Sequence, residues 1–299
     1  MFLRSLISAS ALVTAHASAQ LYGITAGGTV VQIDISTGAG TVIGASGFEC
    51  NAATADSQGR ILIGGGSGAA ADQIIAIDPA TATGSVLLST VGRPSGYSIR
   101  GMAMSPASVL FVVLSPGSTT VVDTLATIDT TTGVYSIIGP TNRTDIQALA
   151  FNPSGHLYAI GILAGGSLYR LDTSTCTATI IGGGTFDGDD QAFEILHDGT
   201  ALTCRAGLRT TSLATGATTL IGATGQTDIR GLALVGAPGL SCYANCDGST
   251  GSPRLTANDF SCFLNRFVGA ASYADCDGVG GLTANDLQCF LSAYVSGCS

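Results

Sequence analysis

The sequence predicts a mainly β protein: a five-bladed β-propeller followed by a small α-helical, disulfide-rich domain. Two phrases that recur along most of the chain predict the blades, and a duplicated loop-and-helix pattern near the C-terminus predicts the small domain. The composition agrees, because 42 glycines and a charged fraction of only 10% favour strands joined by tight turns.

The first phrase is a strand, a Thr-Gly turn and a second strand, with the pattern I-D-x-x-T-G-x-x-x-x-I-G. Glycine in such a turn supplies the positive φ that a tight hairpin needs. Successive copies begin about 40 to 50 residues apart, which is the length of one propeller blade. The five copies are Ile33–Gly44, Ile77–Ser89, Ile128–Gly139, Leu171–Gly182 and Thr211–Gly222.

The second phrase is a strand of small residues, a turn rich in Pro, Ser and Gly, and an apolar strand. Joined to the first phrase, it gives four short antiparallel strands per unit, as in a propeller blade. It occurs at Cys50–Gly65, Ile99–Leu114, Ile146–Gly161 and Asp190–Arg205.

The two ends of the repeat region predict how the ring closes. The chain opens at Leu21–Gly44 without a first strand, and a single strand, Asp228–Gly236, follows the last full unit. We expect this strand to complete the opening blade. A two-sheet sandwich is the alternative, but the regular period and the single strand favour the propeller. The first phrase also resembles the repeats of secreted bacterial propellers, a likeness of architecture and not of ligand.

The innermost strands predict a ring of polar side chains in the central channel. One polar residue stands at the same position of each first strand, among small and apolar neighbours. Two guanidinium groups and three amides could bind a glycan or a small anionic ligand through paired hydrogen bonds. The alternative is a solvated channel without a ligand. The five residues are Asn51, Arg100, Gln147, Gln191 and Arg230.

The N-terminus predicts export. Residues 1–19 contain one cation, a short apolar run and a small-residue triplet before Gln20, the pattern of a secretory signal peptide. The apolar run is shorter than the roughly 20 residues that a membrane span needs. We therefore expect a secreted protein, extracellular or attached to the cell surface, with a propeller at 20–238 and a second domain at 239–299.

Charge and motifs exclude several classes of function. The formal net charge is -9 and all eleven cations are Arg without basic clusters, so nucleic acid is an improbable partner. The chain has only two Glu and no Trp, and it has no nucleophile elbow or phosphate-binding loop. We expect a non-catalytic binding or scaffolding propeller. A polysaccharide-degrading enzyme is the alternative.

Two acidic loops near the C-terminus have the spacing of calcium ligands. EF-hand loops place oxygen ligands at positions 1, 3, 5, 7, 9 and 12, with Gly at 6. With Asp275 at position 1, Gly280 falls at position 6, and only the carbonyl of Val279 could contribute at position 5. Three extra residues interrupt the first loop. The candidate ligands are Asp275, Asp277, Val279, Thr283 and Asp286 in the second loop, and Asn245, Asp247, Thr256 and Asp259 in the first.

Each loop leads into an amphipathic helix. Thr256 and Thr283 are the predicted N-caps, and an Asp follows each three residues later, at the spacing of a capping box. Two loop–helix units with the pattern CDG…LTAND(F/L)xCFL resemble GC-type dockerin domains over about the last 58 residues. The resemblance implies Ca²⁺ as cofactor and a cohesin-like domain or cell-surface scaffold as partner. A disulfide knot that needs no metal is the alternative.

Six of the nine cysteines lie in this C-terminal segment, a density that predicts disulfides in an exported protein. Six cysteines allow 15 pairings. The repeat equates Cys246 with Cys276 and Cys262 with Cys289, so we favour an outer pair between Cys242 and Cys298. Upstream, we expect Cys50 to be a small buried residue and consider a Cys176–Cys204 bridge possible.

Overall fold

The structure is a computed structural model that describes residues 19–66, 71–163, 166–183, 190–235, 244–247, 249, 255–276 and 281–296. The predicted signal peptide therefore lies outside the described residues, apart from residue 19. Within these ranges twenty strands form five four-stranded antiparallel sheets, which confirms the five-bladed propeller. The strands of the first three blades are β1 (Gln20–Thr25), β2 (Thr29–Ile33) and β3 (Gly40–Ala45); β4 (Ala52–Ala55), β5 (Ile61–Gly64), β6 (Gln73–Ile77) and β7 (Gly84–Ser89); and β8 (Ser98–Met104), β9 (Leu110–Ser115), β10 (Thr124–Ile128) and β11 (Tyr135–Pro140).

The remaining strands complete blades four, five and one. They are β12 (Ile146–Phe151), β13 (Leu157–Gly161), β14 (Ser167–Leu171) and β15 (Ala178–Gly183); β16 (Ala192–Ile195), β17 (Ala201–Cys204), β18 (Gly207–Thr211) and β19 (Thr218–Ala223); and the single strand β20 (Ile229–Val235).

The ring closes as predicted, by pairing between the two ends of the repeat region. Strand β20 forms the inner strand of blade one and pairs antiparallel with β1, from Gln20 opposite Val235 to Thr25 opposite Ile229. The inner strands of successive blades are neighbours around the axis, in the cyclic order β4, β8, β12, β16, β20. Backbone hydrogen bonds between distant parts of the chain therefore close the ring.

The hydrophobic core is divided among the blade interfaces. Five clusters of buried apolar side chains lie between neighbouring blades, one at each interface of the ring. The cluster between blades five and one joins Leu202 and Leu208 to Leu21 and Val31, all at most 1% exposed. Because each blade buries its two faces only against its neighbours, opening the ring would expose apolar surface on both sides of the break.

Hydrogen bonds explain why the first phrase recurs. In four copies its Asp accepts backbone N–H groups of the following turn; for example, Asp34 Oδ1 accepts from Ser36 and Thr37 at 2.8 and 3.0 Å. In the fifth copy Ser212 Oγ takes this place and accepts from Thr215 N at 3.2 Å. The Gly of the phrase has positive φ in three copies, at Gly38, Gly133 and Gly216.

The upstream cysteines do not form the bridge that we considered possible. Cys50, Cys176 and Cys204 are all free and buried, which confirms the prediction for Cys50 and makes the Cys176–Cys204 bridge wrong. The reason is the blade geometry. Cys176 packs in the cluster between blades three and four, whereas Cys204 packs in the cluster between blades five and one.

The C-terminal module has the two predicted helices, α1 (Ala257–Val268) and α2 (Ala284–Ser296), with a 3₁₀ turn at Ser272–Ala274. Phe263 of α1 and Phe290 of α2 are equivalent residues of the duplicated pattern. Their rings stack with centroids 4.0 Å apart and planes 14° apart, and neither side chain is exposed. The two loop–helix units therefore contact each other through equivalent residues, as in a local two-fold arrangement.

Each loop is linked to its own helix by one disulfide bond. Cys246 bonds Cys262 in the first unit and Cys276 bonds Cys289 in the second. The favoured outer pair, Cys242 with Cys298, lies outside the described residues. No helix in the described part of the chain has the length and apolarity that crossing a membrane requires.

Candidate functional site: the channel mouth and the C-terminal loops

The five residues of the predicted polar ring lie in the inner strands or directly before them. At Arg100, Gln147 and Arg230 the register of the inner strand shifts by one residue, so each of these residues sits in a β-bulge. Asn51 and Gln191 directly precede their inner strands. The bulges explain how polar side chains are accommodated beside strands that otherwise bury small residues.

Side chains of the ring bind partners of their own blades. The Asn51 amide donates to the Gly65 carbonyl, and the Gln147 amide donates to Asp145. The Arg230 guanidinium holds Asp228 through Nε at 3.2 Å and a terminal nitrogen at 3.3 Å. A ligand would have to compete with these acceptors, so ligand binding by the ring stays a prediction.

Small residues pack tightly next to the ring. The residues that follow the five polar positions all line one small cavity, which has no room for a water molecule. A methyl group on Gly231 would lie 2.3 Å from the Ala53 Cβ. These five residues are Ala52, Gly101, Ala148, Ala192 and Gly231.

Two side chains inside the channel bind the neighbouring inner strand. Thr54 Oγ1 accepts from Met104 N at 3.1 Å, and Glu194 Oε2 accepts from Leu234 N at 3.3 Å. Thr54 and Glu194 occupy equivalent positions of β4 and β16, three residues after the polar ring. We did not predict this role for Glu194, because the sequence does not show which side chain reaches across to the next blade.

Burial gives Glu194 a raised pKa and predicts a pH-dependent stability. Loss of solvation raises its pKa to about 7, against the opposing effect of the N–H donors of Ile195 and Leu234. Because the folded-state pKa lies above the usual Glu value of 4.5, the stabilising contribution is complete below pH 4.5 and is lost as pH rises through 7. For a partly exposed group with this shift, the loss of unfolding free energy over this pH range is about 1 to 3 kcal/mol.

We therefore expect Glu194→Gln to flatten the fall in unfolding free energy between pH 4.5 and 7.5, measured by urea denaturation. Glu49→Gln is the matched control, because Glu49 is the other Glu and is exposed. Some pH dependence of the unfolding free energy should remain in Glu194→Gln, since burial raises the pKa of Asp123 to about 6. Hydrogen bonding lowers the pKa of Asp172 to about 2, outside this window. An unchanged slope in Glu194→Gln would show that Glu194 does not titrate here.

In the C-terminal module the structure confirms both predicted N-caps. Thr256 N donates to Asp259 Oδ2 at 2.8 Å and Asn258 N donates to Thr256 Oγ1 at 3.2 Å, which together make a capping box. Thr283 N donates in the same way to Asp286 Oδ2 at 2.7 Å. Neither aspartate is exposed, so both carboxylates are fixed where their loops end.

The first loop brings several side-chain oxygens together. Asp247 N donates to Asp259 Oδ1 at 3.1 Å, and Ser249 N donates to Asp247 Oδ1 at 2.8 Å. The Asn245 side chain accepts from the Ser249 hydroxyl at 3.4 Å. We did not list Ser249 as a ligand, although its position two residues after Asp247 is position 5 of the loop.

Asp247 and Asp259 of this loop lie close together, since the backbone N–H of Asp247 donates to the Asp259 carboxylate. Burial raises the pKa of Asp247, but hydrogen bonds from the Ser249 backbone and hydroxyl and from the Asp259 carboxyl lower it overall. Two adjacent carboxylates repel each other unless a proton or a cation lies between them. These oxygen donors fit a hard cation such as Ca²⁺.

The second loop is described only in part. Asp277 and Val279 lie outside the described residues, so the predicted ligand set of this loop remains a prediction. Asp275 is partly buried and lies beside blade four, where its carbonyl accepts a hydrogen bond from Ser154. Across the described part of the chain, no group of three His, Cys, Asp or Glu side chains is arranged to hold a metal.

The fold defines the class of the protein: a five-bladed β-propeller that carries a disulfide-linked helical module. No known family matches the sequence, and no curated protein is similar to it. Among solved structures, a chain of a nidogen–laminin complex is 10% identical, with 74% of this chain and 99% of that chain covered and a TM-score of 0.49.

Two bacterial structures show weaker likeness. Regucalcin from Agrobacterium tumefaciens, titled a calcium-binding protein, is 14% identical over 72% of each chain, with a TM-score of 0.45. TolB from Acinetobacter baumannii is 14% identical over 68% of this chain and 52% of that chain, with a TM-score of 0.42. At these identities and scores we draw no functional argument from the likeness.

Proposed function

We propose that this chain is an exported, non-catalytic propeller that is attached to an extracellular or cell-surface assembly through a calcium-binding, dockerin-like module. The observation that carries the proposal is the first loop, where hydrogen bonds hold Asp247 beside the Asp259 carboxylate and beside the oxygens of Ser249 and Asn245. Bound Ca²⁺ would supply the positive charge that offsets their repulsion. The partner that the dockerin resemblance implies is a cohesin-like domain or a surface scaffold.

The disulfides support the proposed location. Bonds such as Cys246–Cys262 and Cys276–Cys289 form and persist in oxidising compartments, outside the cytosol. They tie each loop to its helix, so the loop conformation is partly set before a metal binds. The predicted signal peptide provides the route to such a compartment.

The charge of the first loop sets the expected affinity. Two carboxylates, one amide and one hydroxyl form the described donor set, which is a low charge count for a calcium loop. Affinity falls as the number of charged ligands falls, so we expect a dissociation constant of roughly 10⁻⁴–10⁻³ M, as in extracellular modules.

The helices provide a surface for a partner. On α1, Leu264 is 36% exposed and Val268 is 86% exposed; on α2, Val295 is 85% exposed. Val268 and Val295 are equivalent residues of the duplicated pattern, so the two units present similar apolar side chains. Apolar residues at the ends of short helices are suited to contact with a second protein.

Calcium should stabilise the module, and Asp247→Ala should abolish that effect. At 10 mM Ca²⁺ and a dissociation constant of 1 mM, binding adds about 1.4 kcal/mol to the unfolding free energy of the wild-type module. The measurement is thermal unfolding of the full oxidised chain, followed through the helical circular dichroism signal with and without Ca²⁺.

Asp34→Ala is the matched control for this experiment. Asp34 also accepts two backbone N–H groups of a turn, but it lies in the propeller. In the control, Ca²⁺ should raise the unfolding temperature of the module as much as in the wild type. The proposal is contradicted if Ca²⁺ leaves the unfolding temperature of the wild type unchanged, or if it raises that of Asp247→Ala as much as that of the control.

A further inference from the structure

One turn of the propeller is partly covered, whereas the equivalent turn of the neighbouring blade is exposed. In the turn between β12 and β13, at Asn152–His156, Asn152 is 6% exposed and Ser154 is partly buried, while Gly155 is exposed. In blade three the corresponding turn exposes Pro106, Ala107 and Ser108. The turns between inner strands and their neighbours normally project into solvent, so something covers this one.

The two turns have the same internal hydrogen bonds, so their backbone geometry does not explain the difference. Gly155 N donates to Asn152 O at 2.9 Å, and Ser108 N donates to Ser105 O at the same distance. In each turn the next N–H is bonded to the side chain of the first turn residue, His156 N at 2.8 Å and Val109 N at 3.0 Å.

The C-terminal module contacts this turn. Ser154 Oγ donates to the backbone carbonyl of Asp275 at 3.3 Å, across 121 residues of sequence. Asp275 is position 1 of the second loop, and it directly follows the buried residues Tyr273 and Ala274. The covering segment is therefore the start of that loop.

Charge complements this contact. Tyr158 of blade four is 6% exposed, and burial raises the pKa of its phenol; to a smaller extent the Arg170 guanidinium lowers this pKa and the Asp275 carboxylate raises it. The propeller thus contributes a cation near the place where the loop contributes an anion. Such pairing orients one surface against another.

We infer that the β12–β13 turn is an intramolecular docking site for the start of the second loop, so that the module is held against blade four. The occupant is the segment Tyr273–Cys276 of the same chain. The contact is made by the backbone carbonyl of Asp275. On the proposed function, docking assigns the start of the second loop to the propeller and leaves the exposed apolar residues of the helices, Leu264, Val268 and Val295, to the external partner.

Hydrogen exchange of the full wild-type chain in calcium-free buffer tests the docking. After correction for intrinsic rates, we expect the amide of His156 to exchange at least 10-fold more slowly than that of Val109. Equal exchange in the two turns would overturn the inference, because their hydrogen bonds are the same.

A pair of variants provides a second test. Ser154→Glu places a long anionic side chain beside the Asp275 carboxylate and should raise exchange both in this turn and at Tyr273–Cys276. Ala107→Glu makes the same change at the exposed turn of blade three and should alter neither. The inference fails if Ser154→Glu leaves both segments as protected as in the wild type. Because these measurements omit calcium, they are independent of the test of metal binding.

Discussion

Replacing Gly222 by Ala is expected to lower the unfolding free energy of the propeller by about 3 kcal/mol or more. Gly222 lies in β19 of blade five, against the hairpin turn of blade one. A methyl group there would lie 2.0 Å from the Thr37 carbonyl oxygen and 3.2 Å from its carbon. Because both atoms belong to the backbone, neither can rotate away, and the two blades would have to separate at the interface between blades five and one.

The matched control is Gly27→Ala, because no atom lies within 4 Å of the added methyl group and the backbone there is not left-handed. Thermal unfolding should show a fall of roughly 10 °C for Gly222→Ala and almost none for the control. Blade two has Leu88 at the position that corresponds to Gly222, so one blade interface does accommodate a large side chain there. A fall of less than 2 °C for Gly222→Ala would show that the interface between blades five and one can also accommodate a side chain.

Removing the disulfide of the second unit, by Cys276→Ser with Cys289→Ser, should destabilise the C-terminal module by about 3 kcal/mol. The bond closes a segment with a sequence separation of 13. The module has a small core around Phe263, Phe290 and Tyr273. Domains of this size have little stability beyond their cross-links, so we expect most of its helical circular dichroism signal to be lost at 37 °C.

Cys204→Ser is the control for this change, because Cys204 is a buried cysteine without a disulfide. It should affect the propeller transition and leave the helical transition of the module unchanged. If the double variant keeps the helical signal with a midpoint within 2 °C of the wild type, the core alone holds the module together.

The sequence allowed the blades to be predicted because each repeated residue has a local physical role. Asp129 bonds the turn that follows it, and Gly133 takes the positive φ that the same turn requires. These requirements recur in every blade, so they produce a periodic pattern in the sequence. The strand that closes the ring was predicted at Asp228–Gly236 and runs from Ile229 to Val235.

Features that depend on contacts between units could be predicted only in part. The repeat equated Cys246 with Cys276 but could not distinguish bridges within a unit from bridges between units. Ser249 was missed although the spacing of the first loop places it at position 5, before the insertion. The role of Glu194 and the contact of Ser154 with Asp275 depend on how separate elements meet, which a single sequence does not record.

The central claim, that the C-terminal module binds calcium, is tested most directly by titrating the full oxidised chain with Ca²⁺ in a calorimeter. We predict saturable binding of at least one ion per chain, with a dissociation constant of roughly 10⁻⁴–10⁻³ M and at least 10-fold weaker binding in Asp247→Ala. An absence of saturable heat up to 10 mM Ca²⁺, with the disulfides shown by mass spectrometry to be intact, would contradict the claim.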